Sequence, residues 1–413
     1  MKSLRFARAW FALGLAALAL ASAASGASRG LSPSTGNTWT VVSTPNPGGW
    51  GNIIWGMSAI GQRDVWAVGV QATFTSNDPL AMHWDGTSWA AVTTPTPVPN
   101  CEDGNIQWAG NALTDVDGAT ANDVWAVGGD CYGMHALLEH WNGNAWSIVG
   151  GPPPPNGGWA TLYGVEAISS SNVWAVGYGG SGGIEPLIEH WNGRSWSIVA
   201  GARVRTPAGG VDGYLTAITA TGPNDVWAVG ATGDSTLIEH FDGNRWSLVP
   251  HPEPAGASLD AITAISPTNV WAVGSQRAGA HLTLVMHYDG KSWRVVPSPN
   301  PSAAYNADNE LRGVAATGPN DIWAVGMYQN EQTAIHQHRT LIEHWDGTGW
   351  SIVSSPSPGH SSELNAAAAP TRQPSALSLP RVFAAGLFSN YDINIYDGTY
   401  TLPQTLVMYT RQS

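Results

Sequence analysis

A glutamate stands directly before a histidine at four places in this sequence. The pairs are Glu139-His140, Glu189-His190, Glu239-His240 and Glu343-His344, and His83 and His287 are the histidines of two further copies without the acid. A carboxyl group beside an imidazole suits general acid–base catalysis. Repetition argues against that role, because repeated units carry equivalent residues to separate places. We therefore predict that each histidine hydrogen-bonds within its own unit, to the Asp of an Asn-Asp-Val-Trp segment.

Two other sets of residues have the types needed for a metal site or a crosslink. His336 and His338, in the segment His-Gln-His, could face one metal ion, but no third ligand accompanies them, so two solvated loop histidines are the alternative. Cys101 and Cys131 are the two cysteines of the chain. In an oxidising compartment we expect them to form a disulfide. No nucleophile elbow, phosphate loop or zinc-protease helix occurs, and we expect no cofactor.

The first segment has the pattern of an export signal. Lys2, Arg5 and Arg8 precede an apolar run over residues 9–24, and small residues offer cleavage sites between residues 23 and 27. We expect residues 1–27 to be a signal peptide and the mature chain to be secreted or periplasmic. No later stretch is long and apolar enough to span a bilayer. Removing the three basic residues changes the net charge from −13 to −16, which argues against nucleic acid as a partner.

One seven-residue motif organises the rest of the chain. Its copies resemble Asp-Val-Trp-Ala-Val-Gly-Val and begin at Asp64, Asp123, Asn172, Asp225, Asn269 and Asp321, with a degenerate seventh at Arg381. Each copy is the second of four short segments that we predict to be strands. An Asp-Gly or Asn-Gly dipeptide joins the last two segments and predicts a type I′ hairpin turn. Four-stranded units of this length indicate propeller blades. We predict an all-β fold, a seven-bladed β-propeller over residues 38–409.

The seventh unit lacks a fourth strand, and the start of the propeller supplies one. Residues 38–47, TWTVVSTPNP, match SWRVVPSPNP at residues 292–301, which ends a unit. Residues 39–43 should therefore pair beside residues 406–409 and close the ring. This pattern resembles secreted bacterial β-propeller repeat proteins in the neighbourhood of the kelch and WD-repeat families. It lacks the paired glycines of kelch blades and the Gly-His and Trp-Asp signatures of WD blades, so the resemblance implies an architecture and no activity.

Binding residues are expected on the face that carries the longer and more variable loops. Those loops are the connections between blades and the links between second and third strands. Four tryptophans outside the repeated positions fall on the connections: Trp50, Trp55, Trp108 and Trp159. Trp50, Trp108 and Trp159 precede the Trp of their motif by 16, 17 and 15 residues. We predict an aromatic strip if their rings are exposed, or lids over neighbouring blades if they are buried.

The start of the first strand carries unlike residues at equivalent positions. They are Trp55, Thr114, Tyr163, Thr216, Asp260 and Arg312. Such asymmetry indicates a role other than stabilising the fold, such as binding. The alternative is that these side chains only fill the central channel.

These features favour an exported, monomeric, non-enzymatic binding protein that recognises a glycan or a protein on the variable-loop face. The expected binding residues are Trp50, Trp55, Trp108, Trp159, Tyr163, Asp260 and Arg312. The alternative is a glycan-cleaving hydrolase or lyase that uses Asp260, Arg312 and Tyr163. A hydrolase would need two carboxyl groups about 5–10 Å apart, with Asp260 facing Asp212 or Glu310. A structural envelope module without a ligand is a third hypothesis.

Overall fold

The computed structural model describes residues 38–73, 76–98, 111–131, 134–202, 213–233, 235–302, 307–330, 337–370, 380–390 and 402–411. These residues form seven antiparallel sheets of four strands each, arranged as a ring of blades, which confirms the predicted seven-bladed β-propeller. A short 3-10 helix, Pro155–Gly157, lies between blades two and three. Among the described residues, no helix combines the length and the apolar character needed to cross a membrane.

The strands follow one another in chain order within each of the first six blades. Blades one to three consist of β2 Gly51–Gly61, β3 Asp64–Ala72, β4 Asn77–Trp84 and β5 Trp89–Val92; β6 Ala112–Thr120, β7 Asp123–Gly129, β8 Ala136–Trp141 and β9 Trp146–Ile148; β10 Trp159–Ser169, β11 Asn172–Gly180, β12 Glu185–Trp191 and β13 Trp196–Ile198. Blades four to six consist of β14 Tyr214–Gly222, β15 Asp225–Thr232, β16 Ser235–Phe241 and β17 Trp246–Leu248; β18 Ser258–Ser266, β19 Asn269–Ala278, β20 Ala280–Tyr288 and β21 Trp293–Val295; β22 Asn309–Gly318, β23 Asp321–Asn330, β24 Gln337–Trp345 and β25 Trp350–Ile352.

The seventh blade joins the two ends of the propeller. It contains β26 Ser361–Ala368, β27 Val382–Ser389 and β28 Gln404–Thr410, and its outer strand is β1 Trp39–Val42. The pairing runs from Trp39 opposite Thr410 to Val42 opposite Val407. The predicted closure by an N-terminal strand is therefore confirmed.

The repeated motif forms the second strand because its residues suit a strand that is buried on both faces. In blade one, Val65, Trp66, Ala67 and Val68 are all at most 1% exposed. A side chain at Gly69 would place its Cβ 1.9 Å from the Ile53 carbonyl oxygen of the first strand. Only glycine permits this approach of two backbones.

Tryptophans of the motif hold neighbouring blades together. The Trp66 ring lies 5.1 Å from the ring of Trp141 and 5.1 Å from that of Trp146, both in the next blade. The same arrangement places Trp39 of the closing strand edge-on to Trp323 of blade six, with ring centroids 5.5 Å apart. Aromatic packing between blades thus includes the strand that closes the ring.

The hairpins between third and fourth strands differ from the predicted type I′ turns. A type I′ turn needs positive φ at both central residues, yet in blade two Gly143 has a φ of 89° and Asn142 is not among the positive-φ residues. The loop is longer, and Asn142 Oδ1 accepts hydrogen bonds from the backbone N–H groups of Asn144 and Ala145. The Asn or Asp is thus an Asx cap of a four-residue loop, and only its glycine needs the left-handed conformation.

Candidate functional site at the channel mouth

The histidines of the Glu-His pairs have the predicted structural role. Nε2 of His140 lies 2.8 Å from Asp123 Oδ1, and Nε2 of His190 lies 2.8 Å from Asn172 Oδ1. Each ring also packs against the motif tryptophan beside it, as His140 does on Trp125 with centroids 4.4 Å apart. Equivalent bonds occur at His83, His240, His287 and His344. Hydrogen bonding within the blade is therefore confirmed in the six blades that carry the histidine, with an Asp as partner in four and an Asn in two.

The glutamates of the same pairs face the opposite side of the third strand and are buried. Glu139, Glu189, Glu239 and Glu343 are at most 1% exposed. Neither oxygen of Glu139 has a hydrogen-bond partner in the described part of the chain, and burial raises its pKa to about 8. Blades one, five and seven carry Met82, Met286 and Met408 at the matching register. The glutamates thus occupy sites that an apolar side chain of similar size also fills.

A β-bulge interrupts the first strand of every blade at the same place. At this place the first strand has one extra residue, which has no partner on the second strand. The extra residues are Trp55, Thr114, Tyr163, Thr216, Asp260, Arg312 and Asn365. We call these seven residues the bulge ring. First strands of neighbouring blades contact each other, so the ring surrounds the central channel near the variable-loop face. Six of the seven are the unlike residues identified from the sequence, and the bulge frees them from ladder pairing.

Three members of the bulge ring join neighbouring blades. The Thr114 hydroxyl donates to the Leu162 carbonyl oxygen at 2.8 Å, and the Thr216 hydroxyl donates to that of Leu259 at 2.7 Å. The Asn365 side-chain amide donates to the Ile54 carbonyl oxygen at 2.8 Å, across the closure from blade seven to blade one. These short polar side chains therefore have a structural function.

Arg312 is the centre of a charged network on blades five to seven. Its Nε and Nη2 donate to Glu310 Oε2 at 2.9 and 2.8 Å, and its Nη1 donates to Glu363 Oε2 at 2.5 Å and to Asn365 Oδ1 at 3.1 Å. His338 Nδ1 lies 2.6 Å from Glu363 Oε1. We call the set His281, Asp308, Glu310, Arg312, His338 and Glu363 the mouth network.

The charges of the mouth network fix one another. Burial opposes ionisation of Glu363, but the Arg312 charge and the His338 bond outweigh it and lower the Glu363 pKa to about 2. Burial also opposes protonation of His338, and its bond to Glu363 nevertheless raises the His338 pKa. Glu363 is thus anionic at neutral pH and does not suit the role of a general acid there.

The residues of the catalytic alternative lie on separate blades. Tyr163 is in blade three, Asp260 in blade five and Arg312 in blade six. Arg312 already directs its donors to two carboxylates, so a substrate carboxylate would have to displace one of them. Asp212 lies outside the described residues, and Glu310 pairs with Arg312. Catalysis by this set stays a prediction.

Aromatic residues lie near the starts of the first strands in blades one and three. Tyr163 and Tyr178 are both half-buried, and their ring centroids are 5.6 Å apart. Trp55, Trp50 and Trp159 are half-buried as well, and Trp108 lies outside the described residues. Trp159 is the first residue of β10, whereas Trp50 precedes β2, so their matched spacing does not give equivalent positions. The predicted strip of Trp50, Trp108 and Trp159 stays a prediction.

Three further carboxyl groups lie deeper along the first strands, and the sequence reasoning missed them. Asp115 Oδ2 accepts the Val165 N–H at 3.0 Å, and Asp117 Oδ2 accepts the Ala167 N–H at 2.8 Å. Burial raises the pKa of Asp115 to about 7, and burial together with both aspartates raises that of Glu166 well above its usual range. Asp115 stands where the other blades have Gly or Ala, which was the signal in the sequence. These aspartates join blades two and three.

The metal and disulfide predictions fall partly on residues outside the described ranges. His336 is one of them, and His338 is held by Glu363 rather than standing as a solvated loop histidine. Cys101 also lies outside, while Cys131 is 2% exposed and its N–H donates to Asn111 Oδ1 at 3.2 Å.

We predict that the protein recovered from an oxidising compartment has no reactive thiol, because Cys101 and Cys131 are paired. Titration with a thiol reagent in denaturant should give none before reduction and two equivalents afterwards, as the chain has two cysteines. Two equivalents before reduction would contradict the pairing.

Comparison with known proteins supports the fold. No protein-family model matches the chain, and no curated protein matches its sequence. Among solved structures, it is similar to a polysaccharide lyase described as a PL25 ulvan lyase, with a TM-score of 0.52 and 10% identity over 86% of this chain and 91% of that one. YCF48 bound to D1 peptide gives a TM-score of 0.51 and 14% identity over 90% and 96% of the two chains. The GH74 xyloglucanase from Xanthomonas campestris gives a TM-score of 0.51 and 14% identity over 89% of this chain and 55% of that chain. The chain is a seven-bladed β-propeller, and these likenesses concern the fold alone.

Proposed function

We propose that this protein is an exported binding propeller that recognises an uncharged glycan at the channel mouth of its variable-loop face. The bulge ring is the observation that carries the proposal. A bulge adds one residue that the ladder does not need, and bulges commonly re-aim side chains beside binding sites. Blade repeats alone would give one residue type at all seven positions, whereas this ring contains Trp, Tyr, Asp, Arg, Asn and two Thr.

The structural demands of the ring explain only part of this variety. Thr114, Thr216 and Asn365 join blades through carbonyl oxygens. Trp55 and Tyr163 are large, half-buried aromatic residues. A side chain that only joins two blades by a hydrogen bond does not need to be so large. Aromatic faces of this kind provide flat apolar surface on which a sugar ring can stack.

Charge favours an uncharged ligand. The net charge of −13 repels polyanions, and the Arg312 cation in the mouth network is paired with Glu310 and Glu363. Carboxylates held in place could accept hydrogen bonds from sugar hydroxyls, and side-chain amides could also donate hydrogen bonds to them. Proteins of similar fold include one named as a xyloglucanase and one as a polysaccharide lyase, so the fold accommodates glycan-handling sites.

We predict that Tyr163→Ala and Trp55→Ala each weaken glycan binding at least about tenfold, because aromatic anchors dominate binding energy. A glycan array on the wild-type chain identifies the ligand, and calorimetry with that glycan measures the variants. Tyr163→Phe keeps the ring and should retain most of the affinity. Thr216→Val is the matched control: it removes a blade staple, so it should lower the melting temperature while leaving affinity unchanged.

The experiment also separates the other hypotheses. Unchanged affinity in both alanine variants would place the site away from the bulge ring. Binding of no glycan on the array would contradict the proposal and favour a protein ligand or a structural module. Shortened glycan products, detected by mass spectrometry after incubation, would favour the hydrolase or lyase.

A further inference from the structure

A histidine and two carboxylates from neighbouring blades meet at the edge of the mouth network. His281 lies in β20 of blade five, Asp308 directly precedes β22 of blade six, and Glu310 lies within β22. Nδ1 of His281 is 3.1 Å from Asp308 Oδ1 and 3.8 Å from Glu310 Oε1. One ligand atom from each of the three falls within 4.8 Å of the other two. Donors around a metal ion bonded at about 2.0–2.2 Å lie roughly 3.0–3.5 Å apart. The spacing of His281 and Asp308 already suits a common ion, whereas Glu310 Oε1 has to come closer.

Asp308 supplies a second, independent observation. Its side chain is 7% exposed, and among the described residues its Oδ1 has no well-aligned hydrogen-bond donor, only the nearby His281 imidazole. A buried carboxylate oxygen is costly unless a donor or a cation compensates for the lost water. The oxygen faces the imidazole nitrogen at 3.1 Å, a separation that two ligands of one ion also have.

The backbone that carries these side chains is held in place. The Asn309 amide donates to the carbonyl oxygens of His281 and Ser302, at 2.9 and 3.1 Å, and its Oδ1 accepts the Ser302 N–H. The His281 N–H donates to the Ala307 carbonyl oxygen at 3.0 Å. Arg312 holds the second oxygen of Glu310 and so orients its carboxylate. Such supporting contacts are typical of preorganised metal sites.

We propose that His281, Asp308 and Glu310 bind one first-row divalent metal ion, a site that goes beyond the glycan-binding function. One imidazole nitrogen and two carboxylate oxygens suit Zn²⁺ or Mn²⁺, whereas Ca²⁺ takes six to eight oxygen ligands. Three protein ligands leave at least one coordination position to water or to a bound ligand.

Metal binding also requires Arg277 to move. Nε of Arg277 donates to His281 Nε2 at 2.9 Å. An imidazole that binds metal through Nδ1 carries its proton on Nε2, so Arg277 must turn away. Arg277 is exposed, and its side chain can do so without disturbing the core. Without metal, Nδ1 of His281 faces the two carboxylates.

The test is equilibrium dialysis of the folded, chelator-treated protein against Zn²⁺, with Mn²⁺ and Ca²⁺ in parallel. We expect one equivalent of Zn²⁺ per chain and an increase in its dissociation constant of about 100-fold in Asp308→Asn and His281→Gln, since each loses a direct ligand. His135→Ala is the matched control, because His135 Nδ1 pairs with Asp130 Oδ2 at 2.8 Å but is 66% exposed. This control should bind Zn²⁺ like the wild type.

Each variant needs proof of folding, which circular dichroism and a thermal melt provide. Zn²⁺ should raise the melting temperature of the wild type and of His135→Ala, but not that of Asp308→Asn. Three results would overturn the proposal: no bound Zn²⁺ at 1 mM, wild-type affinity in both folded ligand variants, or an equal loss in His135→Ala. Tighter binding of Ca²⁺ than of Zn²⁺ would also contradict a site with an imidazole ligand.

Discussion

A chain that starts at Gly48 should lose about 5 kcal/mol or more of its free energy of unfolding relative to one that starts at Thr38. The shorter chain lacks β1, which leaves the edge of β28 unpaired along four residues. It also lacks Trp39, which is 4% exposed and packs on Trp323 of blade six. Removing a buried Trp side chain alone costs about 3–5 kcal/mol.

Polar contacts that follow β1 add to this loss. Asn46 Oδ1 accepts the Thr405 N–H at 2.7 Å, and the Thr44 and Thr405 hydroxyls lie 2.7 Å apart. Urea denaturation followed by Trp fluorescence measures the difference. Trp39→Ala should account for most of it, whereas Val41→Ala, at a side chain 42% exposed, should change stability little. A synthetic peptide of residues 38–47, added to the short chain, should restore part of the stability.

The closure would be refuted by equal unfolding midpoints in the two chains. A much smaller loss in Trp39→Ala than in the chain that starts at Gly48 would show that strand pairing, rather than the buried indole, dominates the effect.

Glu139→Met should stabilise the protein by about 3 kcal/mol at pH 7 and hardly at all at pH 4. Burial raises the Glu139 pKa from 4.5 to about 8, so the folded state binds its proton more tightly than the unfolded state. The stability that wild type has below pH 4.5 is therefore lost as the pH rises towards 8. Each pH unit in that window costs about 1.4 kcal/mol, and methionine removes the titration.

The repeat itself supplies the controls for this experiment. Met82, Met286 and Met408 show that methionine fits the matching register in three other blades. Glu139→Gln keeps a buried polar group but cannot ionise, so its difference from wild type should have the same pH slope as that of Glu139→Met. Urea midpoints between pH 4 and 8 give both slopes. A difference independent of pH would mean that the carboxyl group does not titrate with folding.

The architecture could be predicted because it depends on local, repeated signals. Seven copies of one strand motif predicted the blades. A sequence typical of a fourth strand, found before the first blade, predicted the closure. The hairpin type was wrong, because the Asn142 side chain caps a loop of four residues. Dipeptide preference could not show how far that loop extends.

The candidate site could be predicted only in part. Unlike residues at one register identified six members of the bulge ring, including Tyr163 and Arg312. Glu310 lies two residues before Arg312 in the same strand, but the second partner, Glu363, could not be found in this way because it is 51 residues away in sequence and comes from the next blade. His281 and Asp308 come together through a different contact, between the third strand of blade five and the start of the first strand of blade six, which no periodicity in the sequence encodes.

The closing strand also determines how the ring responds to mechanical force. Trp39 and Thr410 are opposite each other at one end of the β1–β28 pair, so both chain ends leave the blade at the same corner. A pull on these ends loads one residue pair at a time, from Trp39–Thr410 to Val42–Val407. It therefore peels the two strands apart instead of sliding one along the other. That corner lies on the side of the short turns, so a tether attached there leaves the opposite face clear. A tethered propeller would thus keep its channel mouth accessible, while its seam is the first part to open under tension.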